Sequence, residues 1–406
     1  MAETVLPNLA DLARQLRAWA IDKALPLWSS AGYDSKRGGF HERLHPDGSP
    51  DIAAPRRLRV QTRQIYVYAH AAALGWFPQG RQMMLDAVEF LLTNYRAADG
   101  GPGYVFSLAP DNSVADGRRD TYDHMFVLLA LAWAARASGD AQIRSHLDDA
   151  LNFIDQQLTA PDGSFFEGWP RTLPRRQNPH MHAFEAMLAL HETLAHPQAM
   201  QRARRLLDLM QQKFLDRSTA TIGEYFTDQW TPAPGAQGDI VEPGHHAEWA
   251  WLLRRHERFS GAASGPLASQ LLNSALRWTD ATTGLLIDQA ERRGPARSNS
   301  RRLWPQTELA KAWIAETEAE RSEAAQHAAA ALRAIMENYL DRPLAGAWTE
   351  QFDLGGRPLT AGIAATSLYH VFGAIAEADR ILATHNAANN GAEQGILPGN
   401  NEIIAG

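Results

Sequence analysis

Apolar residues fall along this chain in two helical patterns. In the first, one face alone is apolar: Leu9, Leu12, Leu16 and Trp19 recur at helical spacing, with Asp11, Arg14, Gln15 and Arg17 between them. In the second every face is apolar, as in the run from Met125 through Phe126, Val127, Leu128, Leu129, Ala130, Leu131 and Ala132 to Trp133. A one-faced helix has protein on one side and water on the other, whereas a helix apolar all round has neighbours on nearly every side. The two patterns predict two kinds of helix, an outer set and an inner set.

The number of such helices follows from a repeat. Gly39, Gly101, Gly163, Gly223, Gly284 and Gly346 each stand at a turn beside an aromatic or aliphatic residue, at successive spacings of 62, 62, 60, 61 and 62 residues. A period near 60 leaves room for two helices and two connections per unit. Open arrays need polar capping repeats at their ends, and none is evident here. The expectation is an all-α, closed (α/α)6 barrel of six helical hairpins, a single domain over 1–385, with the Asn-, Gly- and Ala-rich segment 386–406 as a tail without a packed role.

Composition narrows the function. The formal net charge is −7, from 39 Lys and Arg against 46 Asp and Glu, which provides no electrostatic footprint for nucleic acid. No apolar run approaches membrane-spanning length, and Met1-Ala2-Glu3-Thr4 lacks the basic and apolar parts of a signal peptide; a cytoplasmic protein is expected. The absence of cysteine rules out disulfides, thiolate metal ligands and cysteine nucleophiles. The outer helices carry no oversized apolar stripe, so no oligomer interface is legible.

Unusual polar and aromatic residues recur at one phase of the repeat. Arg59 lies 20 residues after Gly39, Tyr122 lies 21 after Gly101, His182 lies 19 after Gly163, His245 lies 22 after Gly223, Trp304 lies 20 after Gly284 and His370 lies 24 after Gly346. If the repeats are equivalent, these six converge from the inner helices on one end of the barrel. Asn178, a candidate N-cap, and Pro179 open a helix that carries His182 and Glu185 one turn apart. His245 and Glu248 repeat that spacing behind Gly244, whose lack of a side chain leaves backbone donors open to a ligand, and Trp304 and Glu308 place a ring and a carboxylate one turn apart. His180 and His246 are expected to point elsewhere. Histidine supplies a base whose ordinary pKa is near neutrality, and aromatic faces cover the C–H surface of a sugar.

Neither His180-x-His182 nor His245-His246-x-Glu248 has the spacing that puts two histidines on one helical face for a metal, and no metal or other cofactor is expected. Walker, dinucleotide-binding and nucleophile-elbow patterns are missing as well.

In this order and spacing, Arg59-Val60-Gln61-Thr62-Arg63, Asp120-Thr121-Tyr122-Asp123-His124, Asn178-Pro179-His180-Met181-His182-Ala183-Phe184-Glu185, Pro243-Gly244-His245-His246-Ala247-Glu248-Trp249, Trp304-Pro305-Gln306-Thr307-Glu308 and Leu368-Tyr369-His370 resemble the N-acylglucosamine 2-epimerase superfamily of sugar epimerases and isomerases. The resemblance implies an (α/α)6 barrel and metal-independent chemistry on an open-chain monosaccharide through a cis-enediol. It implies that His245 and His370 are the acid/base pair, that Arg59 holds the enediolate oxygen and that His182 binds the sugar. Tyr122, Asn178, Glu248, Trp304 and Glu308 would complete the pocket, with Glu248 orienting the His245 ring. Family epimerases acting on cellobiose have tryptophan five residues before the last histidine; here that position is Ala365. The segment is more similar to the mannose isomerase branch, although Leu368 replaces that branch's proline. The first expectation is therefore an isomerase of D-mannose or a similar aldose such as D-lyxose.

Four alternatives stay open. These are a 2-epimerase of N-acylglucosamine, glucose/mannose or cellobiose, a sulfonated-sugar isomerase using the arginine-rich loops 171–176 and 292–302, a glycoside hydrolase using carboxylates, and a non-catalytic binding protein.

Overall fold

The computed structural model describes residues 2–263 and 265–394, with the side chains of 8–263 and 265–384. Its helices are α1 (Ala2–Trp19), α2 (Leu25–Ser30), α3 (Leu58–Ala73), α4 (Gly80–Asn94), α5 (Thr121–Ser138), α6 (Ala141–Phe153), α7 (Asn178–Leu194), α8 (Ala199–Leu209), α9 (Pro243–Ser260), α10 (Leu267–Ala275), α11 (Leu303–Glu318), α12 (Ala324–Ile335) and α13 (Leu368–Gln394). The odd-numbered helices from α3 to α13 form the inner ring: α3 packs on α5, α5 on α7, α7 on α9, α9 on α11, α11 on α13, and α13 returns to α3. Each inner helix also packs on the outer helix that follows it, except α13, whose outer partner is α1. The sixth hairpin thus joins the two ends of the chain, and the ring closes without capping repeats.

The two hydrophobic patterns sort as expected. Every residue from Met125 to Ala135 on α5 is buried, while on α1 Leu9, Leu12 and Leu16 are buried and Asp11, Arg14 and Arg17 are exposed. At the glycine turns, Gly39, Gly163, Gly284 and Gly346 have φ of +76°, +82°, +70° and +84°, where an L side chain is strained. Gly39 has a second constraint, because a Cβ there would lie 2.3 Å from the Phe90 ring. Gly101 and Gly223 do not take this conformation. In the second repeat Gly103 does (φ +77°), and in the fourth Ala220 does (φ +52°). The period survives because the turn is repeated, even where the glycine slips.

Short strands are an addition to the expected all-helical pattern. A strand just ahead of each inner helix pairs, antiparallel, with the turn of the next repeat: Arg56–Arg57 with Ser107–Leu108, Arg119–Asp120 with Gly168–Trp169, Arg175–Arg176 with Tyr225–Phe226, Ile240–Val241 with Ala290–Glu291, and Ser300–Arg302 with Gln351–Asp353. The sixth ladder pairs Ile363–Ala364 with Arg43–Leu44 and so stitches the last repeat to the first. Together they hold the inner-helix N-termini around one opening. The last helix continues to Gln394, past the expected boundary at 385, and the rest of the tail lies outside the described residues. Among the described residues no helix is long and apolar enough to cross a membrane.

Candidate active site

The first turns of the inner helices are anchored before they present anything to a ligand. His124 Nε2 accepts from Tyr104 N at 3.1 Å, His180 Nε2 from Phe165 N at 2.8 Å and His246 Nε2 from Ile222 N at 2.9 Å. Their Nδ1 atoms donate to the carbonyls four residues back, of Asp120, Arg176 and Glu242, which fixes the tautomer. Burial lowers their pKa values to about 4, 3 and 4, so these rings stay neutral. Gln61 and Gln306 do the same work, each bonded to both the N–H and the carbonyl of its turn residue, Phe40 or Leu286. His180 and His246 therefore point away from the opening, as expected, and serve the fold.

Counted from these five anchors, with Leu368 in the sixth place, the site is layered. Two residues before the anchor stand Arg59, Tyr122, Asn178, Gly244, Trp304 and Thr366. Two residues after it, one helical turn deeper, stand Arg63, Phe126, His182, Glu248, Glu308 and His370. A cavity of about 330 Å³ is lined by most of both layers, by His245 with Glu224 and Glu242, and by the partly exposed Arg57, Arg176, Tyr225 and Arg302 at the mouth. That volume is at the small end of ligand cavities, which begin at roughly 300 Å³. Arg59, Tyr122, His182, His245, Trp304 and His370 all reach the cavity. They converge from three helical levels, so their common phase reflects a common end of the barrel and not identical positions. Glu308 lies behind His370, fully buried.

Each cavity histidine has a carboxylate on Nδ1: His370 with Glu308 at 2.8 Å, His182 with Glu185 at 3.0 Å and His245 with Glu224 at 3.0 Å. The expectation that Glu248 orients His245 is corrected here. Glu224 and Gln177 hold that ring, the latter at 3.1 Å, with Glu242 at 3.7 Å, whereas Glu248 lies 4.0 Å from His182. Glu224 comes from the turn of the same repeat, 21 residues away, where the two-residue ladder brings it inward. Asn178 is the first residue of its helix and not the cap; Gln177 precedes it, and the Asn178 amide lies 3.4 Å from His245 Nε2. Gly244 faces Trp304, whose ring would lie 2.6 Å from a Cβ there, so glycine admits the indole and does not serve to bare backbone donors.

The electrostatics divide the histidines. Burial disfavours the charged form of all three. At His245, Glu224 and then Glu242 overcome burial and raise the pKa to about 9. At His370, burial is reinforced by Arg63 and Lys311, and the pKa falls well below its ordinary value. His182 falls to about 4 through burial. At neutral pH the cavity thus holds one imidazolium, His245, and two neutral imidazoles.

Sequence reasoning singled out Arg59 and passed over Arg63, one turn further along the same helix. Arg59 forms an ion pair with buried Asp123 at 3.0 Å. Arg63 sits in the deeper layer, 4% exposed. Its guanidinium donates to Tyr122 Oη at 2.7 Å and Thr366 Oγ1 at 2.6 Å and lies over the Phe126 ring. The spacing from Arg59 to Arg63 was the available signal. Lys311, also missed, is 1% exposed with Nζ 2.5 Å from Glu308 Oε2.

His182, Glu185 and Glu248 bring ligand atoms within 4.8 Å of one another, close enough to share a metal ion. Glu185 is already engaged by His182 and by the Tyr369 hydroxyl, and Lys311 and Arg63 supply positive charge to this floor.

Residues 38–374 match the N-acylglucosamine 2-epimerase family. A protein of Rhizobium meliloti named mannose-6-phosphate isomerase is 32% identical over 385 residues, covering 91% of this chain and 97% of its own length. Among solved structures, cellobiose 2-epimerase from Spirochaeta thermophila superposes with a TM-score of 0.84 at 24% identity, over 94% of this chain and 99% of that one. A D-mannose isomerase superposes with a TM-score of 0.80 at 21% identity, over 90% and 97%; both show the shared (α/α)6 barrel. The extent of the family match, together with a relative that is similar end to end, establishes that this chain belongs to the N-acylglucosamine 2-epimerase family and is an enzyme of its sugar isomerase and epimerase type.

Proposed function

We propose that the protein interconverts D-mannose, or a similar aldose such as D-lyxose, with its ketose through a cis-enediol. The observation that carries this reading is the charge division between two carboxylate-held histidines in one cavity: His370 is a neutral base and His245 an imidazolium acid at the same pH. With the sugar ring open, His370 Nε2 takes the proton from C2. The C–H electron pair becomes the C1=C2 bond, and the carbonyl pair moves to O1, which takes a proton from His245. His370 then returns its proton to C1, while the O2 hydroxyl proton passes back to His245 and C2 becomes the ketose carbonyl. Arg63, in the histidine layer and rigidly held, takes the role of holding the developing enediolate oxygen; Arg59 lines the wall above it. Trp304, with ring centroids 5.0 Å from His245 and 5.8 Å from His370, offers the face on which the carbon chain rests. His182, Asn178 and Tyr122 bind hydroxyls.

Two-epimerisation is the second reading, favoured by His245 as a second proton carrier across Trp304 from His370. Return of the proton to C2 from the opposite face gives the epimer. A phosphorylated aldose would meet Arg57, Arg176 and Arg302 at the mouth. The guanidiniums of Arg57 and Arg176 are hydrogen-bonded by Glu42 and Glu167, and that of Arg302 lies 3.6 Å from Asp288; the same three carboxylates accept the backbone N–H of these arginines at 3.1, 2.6 and 2.6 Å. The unphosphorylated sugar is therefore preferred. Incubation with D-mannose in deuterated water, in parallel with D-mannose 6-phosphate and D-lyxose, tests all three. Fructose is the expected product, with deuterium at C1 to the extent that the proton on His370 Nε2 exchanges with solvent before its return. Glucose deuterated at C2 would replace the isomerase with the epimerase, and turnover confined to the phosphate would move substrate recognition to the mouth.

A further inference from the structure

Lys311 is a fully buried ammonium at the floor of the barrel, beneath the cavity, and the reaction above does not use it. Its Nζ lies 2.5 Å from Glu308 Oε2 and 3.6 Å from the centre of the Trp251 ring. The other oxygen of Glu308 lies 2.8 Å from His370 Nδ1. Ammonium, carboxylate and imidazole thus form a line from the floor to the reacting histidine. Among the described residues no lysine or arginine forms an ion pair with Glu224 or Glu242, the two acids that face His245; Arg302 acts on Glu242 only at longer range.

We propose that Lys311 is a positioning residue that makes His370 the base of the pair, by holding Glu308 ionised and offsetting its charge. This role for Lys311 rests on the proposed assignment of His370 as base. An ammonium only donates, so Oε2 of Glu308 is an acceptor, and a carboxylate so held accepts the Nδ1 proton of His370 through Oε1. Nε2 is then the unprotonated nitrogen, which is the one a base needs at the cavity. Two errors would otherwise be open to a buried Glu308–His370 pair. If the carboxyl kept a proton it would donate it to Nδ1, and the ring would present an N–H to the sugar. If the carboxylate stayed charged without its lysine, it would draw a second proton onto the ring, as Glu224 and Glu242 do at His245. Lys311 closes both routes with one positive charge. The remaining charged or titratable groups acting on His370 are Arg63 from α3 and His182 and Glu185 from α7, while Glu248 from α9 lines the same cavity. Burial raises Glu248 well above the ordinary carboxyl range and raises Glu308 as well, with Lys311 the main influence that opposes it; at His370 the charges of Arg63 and Lys311 add to burial and outweigh Glu185, which acts the other way.

The test is a 15N and 13C NMR titration of the ring-labelled full-length protein without sugar, with the His370 signals identified by their loss in His370→Gln. In the parent protein His370 should remain the neutral Nδ1–H tautomer from pH 5 to 9. In Lys311→Met, whose side chain still packs on Trp251, His370 should take up a proton at neutral pH or switch to the Nε2–H tautomer. In parallel, kcat/KM at pH 7 should fall on the order of 10- to 100-fold, tenfold for each unit that the His370 pKa rises above 7, with partial recovery toward pH 9. Lys311→Gln serves if the methionine variant does not fold. An imidazolium or an Nε2–H tautomer at His370 of the parent at pH 7 would overturn the proposal, and so would an unaltered His370 titration in a folded Lys311 variant. Because the titration involves no substrate, it stands or falls separately from the choice of sugar and product.

Discussion

His245 Nδ1 meets Glu224 Oε1 at 3.0 Å across 21 residues of sequence, the helix side chain held by the turn of its own repeat. His370 has a carboxylate at nearly the same distance, and yet the two rings hold opposite charge states. The difference lies behind the carboxylates. A second acid, Glu242, backs His245, and a lysine backs Glu308. One motif, histidine on carboxylate, is thereby tuned to two charge states, which suit the acid and base roles proposed for His245 and His370.

Glu224→Gln keeps the shape of the contact and removes the larger attraction on the His245 proton. With the pKa raised to about 9, the acid form persists through neutrality, and kcat/KM should decline only above about pH 9. The variant should bring that alkaline limb down toward neutrality. Stability follows the same sign. A folded-state pKa above the unfolded value of about 6.5 stabilises fully below pH 6.5, and the contribution is lost as pH rises through about 9. Profiles of kcat/KM and of Tm against pH, for parent and variant, check both statements.

Arg63 and Arg59 should separate by phenotype. Arg63→Gln removes a rigid donor from the developing enediolate, and by comparison with oxyanion sites should lower kcat by about 10²–10³. Arg59→Gln instead strands the buried carboxylate of Asp123, whose pKa burial already raises to about 7; it should cost about 3 kcal/mol of stability and less in kcat. Steady-state kinetics and urea melts of the two variants side by side decide the assignment. A larger kcat loss for Arg59→Gln would return the oxygen-holding role to Arg59.

His180→Ala should act on the fold and leave the chemistry alone. The ring is fully buried and bonded at both nitrogens, to Phe165 N and to the Arg176 carbonyl. Its removal leaves two buried backbone groups without partners, at about 1–3 kcal/mol each. Tm should drop by several degrees while kcat stays close to that of the parent. A selective collapse of kcat would mean that this histidine serves catalysis.

Gly244→Ala tests the seat of Trp304. A methyl group 2.6 Å from the indole must displace it, with an overpacking cost of about 1–3 kcal/mol. KM should rise more than kcat falls, if Trp304 acts as proposed by covering the sugar. An unchanged KM would remove Trp304 from the binding surface.

Periodicity made the architecture legible. One-faced and all-apolar helices and a turn every 60 or so residues are local properties of the chain, and they specify six hairpins in two rings whatever the details of packing. The cavity residues were legible for the same reason, since equal offsets from equal turns must emerge at the same end of a closed ring. The ladders were not, being two or three residues long and too short for any alternation to register. Nor was the α13–α1 pairing, which joins residues that the chain separates by its whole length.

What tertiary structure alone decided is the partner of each side chain. Sequence neighbours suggested Glu248 for His245, because three residues is one helical turn; the barrel instead brings Glu224 inward from a turn and turns Glu248 toward His182. Arg59 and Arg63 are alike as residues, and a single turn of depth ties one to Asp123 and places the other among the histidines. The charge states of His245 and His370 depend on Coulomb interactions over a few ångströms inside a buried space. Such interactions are set by distance through the fold, which no spacing along the chain encodes.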